Sequence, residues 1–514
     1  MVQKHRYDNP HSVISMDINW EQIQPAFVHE VKSSDDIQFQ AHELLFEVPL
    51  CHTSKANPER IKLQADLVYM PGLSNVSIAN VDGKLDIQTM GSKGPRNIES
   101  VVVYLCGGPG DGNPASANRR LNDIMLKDRR DPILFLDYRG TRNSTPLTAE
   151  ALANRENPSE YMTCFRQDAI VADLEAIRLC FGGIKFFLVG QSFGGWIAMT
   201  YVSFLPRSLS GVFITGGLPP IGKGPEDVYR ALYKRVIQAN EKYYRKYKED
   251  IGKVKEIVIW LAESRIKNGE DNEDTKSVKT RGVALPEKQG RLTAQGFMTL
   301  GRHFGRGEVG FDLVHSIVTK MANDIKTPNG LTDETIGYIL KSGGTGFKLH
   351  KRPGYGAWHE GIYCSGSMDA PPNWAAQRVG KEQGGGHFRW LEKDFNGSAH
   401  KDVPLYFSGE MIYDFMLEEA GPKASPFKKH ADDLAHRSQW SNLYDVDQLK
   451  KNVVPVTALI YPEDMYVDYN FSLATAQMVQ GCRWAKAPRD WLHASIKTQP
   501  EEVWNALLHA PRGG

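Results

Sequence analysis

One stretch constrains the chain more than any other: Phe186-Phe187-Leu188-Val189-Gly190-Gln191-Ser192-Phe193-Gly194-Gly195-Trp196-Ile197-Ala198-Met199. An apolar run stops at G-x-S-x-G and resumes with helical character, which predicts a strand, a tight turn and a helix. A serine at the tip of so sharp a turn needs neighbours without bulk two positions before and after it, and Gly190 and Gly194 meet that need. The turn also sets Ser192 at the amino end of the helix, where free N–H groups and the helix dipole favour developing negative charge. Gly195 lets that helix lie close to the sheet. A glycine-rich loop with a bystander serine fits the same pattern, so the rest of the chain has to decide.

The neighbouring segments alternate between strand and helix. Val101–Leu105 is continuously apolar, as a buried parallel strand is, and runs into Cys106-Gly107-Gly108-Pro109-Gly110, a loop able to aim backbone N–H groups at an oxyanion. Ile133–Leu136 reads as a strand, Ile170–Cys180 as a helix with Ile170, Val171, Leu174 and Ile177 on one face, and Gly211–Gly217 as another strand. Upstream, Leu44–Leu50 and Ile61–Tyr69 read as antiparallel edge strands separated by Asn57-Pro58. The expected fold class is α/β with a mostly parallel central sheet, whose ligands gather at the carboxyl ends of its strands.

Strand patterning stops near residue 218 and returns at Val453–Tyr461. Between them lie helical spacings such as Tyr243, Tyr244 and Tyr247, then Val254, Ile257, Val258 and Leu261, and an acidic loop at Asn268–Thr275. The expected organisation is an arm over residues 1–40, a first part of the core over 41–217, a large helical cap over 218–445, and a second part of the core over 446–514.

Lys and Arg total 62 against 61 Asp and Glu, so a net charge of +1 offers no footprint for nucleic acid or an anionic membrane. The basic cluster Lys242–Lys248 is interleaved with Glu and Tyr and reads as a solvated helix face. No apolar run reaches the roughly 18 residues of a membrane span, and residues 1–20 hold no signal-peptide core. With neither feature, a cytoplasmic protein is expected, and the six cysteines, without C-x-x-C pairing, read as buried thiols rather than a zinc site or a disulfide framework; no cofactor is expected. Oligomeric state is left open.

A free serine is a poor nucleophile at neutral pH and needs a histidine to take its proton and a carboxylate to orient that histidine. Asp464 follows the returning strand, with Glu463 beside it and Asp468 as a competitor. His493 lies in a loop near the end, whereas His509 falls late in the closing helix Glu501–His509. The order Ser192, Asp464, His493 is that of an α/β-hydrolase triad.

From about residue 42 these residues resemble the proline iminopeptidase (prolyl aminopeptidase) family of α/β-hydrolases, in its long-chain microbial and fungal-type branch. The likeness is carried by Phe46–Leu50, Gly107-Gly108-Pro109-Gly110, Asp137–Thr141 with Ser144-Thr145-Pro146, Gly190–Gly195, Thr215–Pro219 and Glu463–Val467. Within the insert it is carried by His359-Glu360 with Ile362-Tyr363-Cys364, Asn373–Val379 and Ser408–Tyr413. The resemblance implies metal-free hydrolytic release of an amino-terminal residue, preferably proline, from small peptides. It also implies oxyanion N–H groups at Gly108 and Phe193, and recognition of the substrate amine by Glu360 and Glu410. Cys106 stands where a histidine or glutamine is common, Arg142-Asn143 where a glycine is usual, and Asp414-Phe415 where Pro-Trp is frequent. An esterase, amidase or biosynthetic hydrolase of the same fold is the alternative, and a non-catalytic binding protein a more distant one.

Overall fold

The structure is a computed structural model that describes residues 18–35, 40–52, 59–70, 75–81, 84–91, 94–264, 281–342, 348–383, 385–392, 395 and 403–511. The readings at Asn57-Pro58, at Asn268–Thr275 and over the first 17 residues lie outside the described residues.

The strands are β1 (Phe27–Asp35), β2 (Gln40–Pro49), β3 (Arg60–Tyr69), β4 (Asn75–Val81), β5 (Lys84–Gly91), β6 (Gly94–Asn97), β7 (Ser100–Leu105), β8 (Ile133–Leu136), β9 (Lys185–Gln191), β10 (Leu209–Thr215), β11 (Val283–Ala284), β12 (Arg291–Leu292), β13 (Val456–Ile460) and β14 (Arg483–Lys486). Nine of them form one sheet in the order β1-β2-β3-β8-β7-β9-β10-β13-β14. The first three strands pair antiparallel and β3 meets β8 antiparallel. From β8 to β14 every pairing is parallel. The parallel strands carry the continuous apolar runs because both of their faces are covered: Val101, Val102, Val103, Tyr104 and Leu105 are fully buried, as are Ile133 and Leu134.

Residues Phe27–Asp35, expected to be part of an arm, instead form the outermost strand, with Val28 buried against the core. β4, β5 and β6 make a separate antiparallel sheet that the sequence did not announce. The returning strand begins at Val456; Val453 is 82% exposed.

Chain order reverses at β7, which has β8 on one side and β9 on the other. The crevice at the carboxyl ends of β7 and β9 is therefore the topological switch point, where this class of sheet binds ligands. The Cys106–Gly110 loop leaves β7 there and Ser192 leaves β9.

Between β10 and β13 the described residues are mainly helical, with long helices at Pro225–Lys246, Asp250–Glu263 and Glu308–Asp324. Tyrosines provide much of the packing here, and their hydroxyls find partners as buried phenols must. Tyr233 donates to the Ala376 carbonyl, Tyr243 to Asp250 and Tyr244 to the Leu405 carbonyl. In the Lys242–Lys248 cluster the lysines do face solvent, Lys246 pairing with Glu308 and Asp312, while Tyr243 and Tyr244 turn inward. The insert is tied to the sheet layer through Arg166, which donates to the Cys364 carbonyl and Ser441, and through Trp358, whose indole donates to the Met162 carbonyl.

Candidate active site

Ser192 caps the amino end of the helix Phe193–Phe204 at φ 55°, ψ −126°, a backbone conformation that costs a non-glycine residue on the order of 1–3 kcal/mol. Close packing maintains it. A Cβ on Gly194 would stand 2.0 Å from the Leu105 carbonyl oxygen, and one on Gly190 would stand 2.7 Å from Gly195. One on Gly195 would reach 2.4 Å from the Gly217 carbonyl, so the glycines let helix, turn and sheet share this space. The Ser192 N–H donates to the Thr215 carbonyl at 3.1 Å, anchoring the turn to β10.

The loop after β7 lies against the serine, the Cβ direction of Gly107 pointing to within 3.1 Å of Ser192 Cβ. Gly108 faces the Phe193 ring. Neither the Gly108 nor the Phe193 N–H has an acceptor among the described residues. Cys106 is buried at the floor of the loop, where burial pushes its thiol up to about 12 and keeps it protonated.

His493 and Asp464 meet from separate loops. His493 Nδ1 lies 2.7 Å from Asp464 Oδ2, while Asp464 Oδ1 accepts the N–H groups of Tyr466 at 2.8 Å and Val467 at 3.2 Å. A carboxylate so held fixes Nδ1 as the protonated nitrogen and leaves Nε2 as the base. The Tyr466 ring packs edge-on against the imidazole at 4.9 Å. Burial alone would lower the His493 pKa, but the charge of Asp464, its hydrogen bond and the charge of Glu410 outweigh burial and raise it. No hydrogen bond joins Ser192 Oγ to His493, a contact that in ligand-free sites often tightens only with substrate.

The competitors are occupied elsewhere. Asp468 caps the helix Tyr469–Met478, accepting from Asn470 and Phe471, and Glu463 pairs with Lys242 at the surface. His509 sits at the exposed end of the closing helix, Pro500–Leu508.

Ser192, His493, Gly107, Gly108 and Glu410 line one cavity of about 660 Å³ between the sheet layer and the insert. Glu410 accepts the Tyr355 hydroxyl at 2.7 Å on Oε1, and Arg302 reaches the same oxygen at 3.3 Å. Burial alone would raise Glu410, yet its pKa is lowered, above all by the charge of Arg302, so it stays ionised. Arg302, Tyr355 and Tyr466 also line the cavity, and sequence reasoning named none of them as site residues.

Glu360 is placed differently from Glu410. It does not line this cavity; its carboxylate accepts the N–H groups of Trp374 at 3.1 Å and Ala375 at 2.5 Å at the start of the helix Ala375–Gln383. Asn373 and Trp374 both have positive φ, and successive N–H groups in such a turn form a nest for an anion. Burial nevertheless pushes Glu360 up to about 7. Among the described residues Glu249, Asp250 and His315 bring possible metal ligands close together, but Asp250 is already bonded by Tyr243, Lys253 and His315. The six cysteines form no disulfide; Cys51 and Cys164 are half-buried and the others buried.

Strand order and a serine on a strained strand-to-helix turn define an α/β-hydrolase, and residues 100–298 match the profile of the alpha/beta hydrolase fold family. The chain is 32% identical over 416 residues to the proline iminopeptidase of Aeromonas sobria, covering 80% of this chain and 87% of that protein. It is 33% identical over 417 residues to the proline iminopeptidase aneH of Aspergillus aculeatus, covering 79% of this chain and 84% of that protein. The chain belongs to the proline iminopeptidase family. Among the described residues no helix is long and apolar enough to cross a membrane.

Proposed function

We propose that the protein is a serine aminopeptidase that releases proline, or another small residue, from the amino terminus of short peptides. Ser192 attacks the carbonyl of the first residue, Nε2 of His493 takes the hydroxyl proton and returns it to the leaving amine, and Asp464 steadies the imidazolium. The N–H groups of Gly108 and Phe193 hold the oxyanion, and water then hydrolyses the acyl-enzyme. The helical insert acts as a cap, and the cytoplasm is the proposed compartment.

The observation that carries this reading is Glu410. An ionised carboxylate lines the cavity that holds Ser192, with its Oε2 bonded by no described residue. A buried ammonium needs such a partner to offset its desolvation. Membership of the proline iminopeptidase family supplies the residue class.

Initial rates on proline, alanine and leucine 2-naphthylamides beside a simple butyrate ester test the proposal. Proline amide is expected to be cleaved fastest, with no turnover by Ser192→Ala. Ester hydrolysis without turnover of any aminoacyl amide would leave a serine hydrolase whose cap serves another substrate.

A further inference from the structure

Arg302 belongs to none of the motifs above, yet it lines the cavity that holds Ser192, beside Glu410. Its Nη2 and Nε lie 3.3 and 3.4 Å from Glu410 Oε1, the oxygen that also accepts the Tyr355 hydroxyl. Every donor to Glu410 among the described residues thus converges on Oε1, and Oε2 is left for something else.

The two segments that carry this pair are locked together. Arg302 lies in the 3₁₀ segment Thr299–Arg306, whose carbonyl at Arg302 accepts the Tyr466 hydroxyl at 2.6 Å. The Ser408 N–H, two residues before Glu410, donates to the Met298 carbonyl at 2.9 Å, just before that segment. The guanidinium stands 5.9 Å from the Tyr355 ring centroid, so cation and phenol approach the same oxygen as a unit.

We infer that Arg302 is a positioning residue for the amine subsite: by pinning Oε1 of Glu410 it keeps Oε2 turned into the cavity as the acceptor of a substrate ammonium. This rests on the proposed aminopeptidase function. A carboxylate this enclosed would hold its proton on burial alone. The groups facing it are Arg302, Tyr355, His359, His493, and the hydroxyls of Tyr363 and Tyr466; Arg302 makes the largest opposing contribution. His359 is held neutral by burial, its pKa near 4, so it cannot replace the guanidinium.

The test is calorimetric titration of the Ser192→Ala protein with L-prolinamide and with N-acetyl-L-prolinamide, alone and combined with Arg302→Met or Arg302→Lys. Met is expected to weaken prolinamide binding about tenfold near pH 6 and less near pH 7.5, because the proton then competes with the ammonium for Glu410. Lys keeps the positive charge without the guanidinium fork and restores part of the affinity, and binding of the acetylated ligand stays within about twofold. Equal loss of both ligands with Met, failure of Lys to rescue, or unchanged prolinamide binding with Met would each overturn the inference. Failure of the parent Ser192→Ala protein itself to bind prolinamide would instead strike the aminopeptidase reading, and the inference with it.

Discussion

Asp464 gives one carboxylate oxygen to His493 Nδ1 at 2.7 Å and the other to the backbone of Tyr466 and Val467. The orienting acid is thus itself oriented by the turn that follows β13. Asp464→Asn keeps the size of the side chain but presents a neutral amide to Nδ1. The expected loss in kcat is about 10³- to 10⁴-fold with little change in KM. Steady-state kinetics on proline 2-naphthylamide, with thermal unfolding to confirm an intact fold, checks this.

The pH profile follows from the direction of the His493 shift. Burial lowers the pKa of this imidazole, but Asp464 and Glu410 raise it further, so it lies above the ordinary value. Catalysis by the proposed route uses the neutral imidazole, so kcat/KM should rise with pH through an acid limb above about 6.5. The same shift stabilises the fold below the unfolded-state pKa, and that contribution is lost as pH rises through the folded-state value. A limb below the ordinary histidine value would contradict the Asp464–His493 coupling.

Glu360 and Glu410 should separate experimentally. Glu410→Gln removes the charge offered to the substrate amine, and a charge-assisted hydrogen bond of about 1.5–3 kcal/mol corresponds to a KM increase of roughly 10- to 150-fold for aminoacyl amides. Glu360→Gln keeps one acceptor for the turn before Ala375–Gln383 but not two, so it should cost about 1–3 kcal/mol of stability and change KM by less than about threefold. Denaturant unfolding and amide kinetics on both variants give the answer.

How much of this was legible depended on whether the signal was local. Ser192 and Asp464 stand out because each follows recognisable strand text, and His493 because it lies in a loop near the end while His509 falls at the end of the closing helix. Of the glycines around Ser192, Gly190 answers to contacts a few residues away, whereas Gly194 answers to Leu105 at the end of β7 and Gly195 to Gly217 beyond β10. The polar strand Phe27–Asp35 was hidden because His, Glu, Lys, Ser and Asp mask its pairing, which comes from β2 rather than from its own composition. Glu360 looked like Glu410 because residue type does not reveal which backbone N–H groups will claim a carboxylate. Trp374 and Ala375 reach it only after the chain has folded back from 14 and 15 residues away. Arg302 and Glu410 lie 108 residues apart, and nothing in either segment announces the other.

Glycine substitutions probe the elbow itself. A Cβ at Gly194 would fall 2.0 Å from the Leu105 carbonyl oxygen, backbone that cannot rotate away, so Gly194→Ala should destabilise by at least about 2 kcal/mol and abolish turnover. The helical Gly252 has open space around its Cβ direction, and Gly252→Ala should stabilise by about 0.5–1 kcal/mol without affecting activity. Equal effects of the two substitutions would mean that the turn around Ser192 is looser than the structure shows.

In the proposed reaction Ser192 becomes acylated by the residue it removes. Rapid acid quenching during turnover of a proline ester, followed by peptide mass spectrometry, tests this most directly. A prolyl group is expected on the peptide carrying Ser192, absent in Ser192→Ala and much reduced in Glu410→Gln. A prolyl group on another residue, or undiminished turnover by Ser192→Ala, would contradict it.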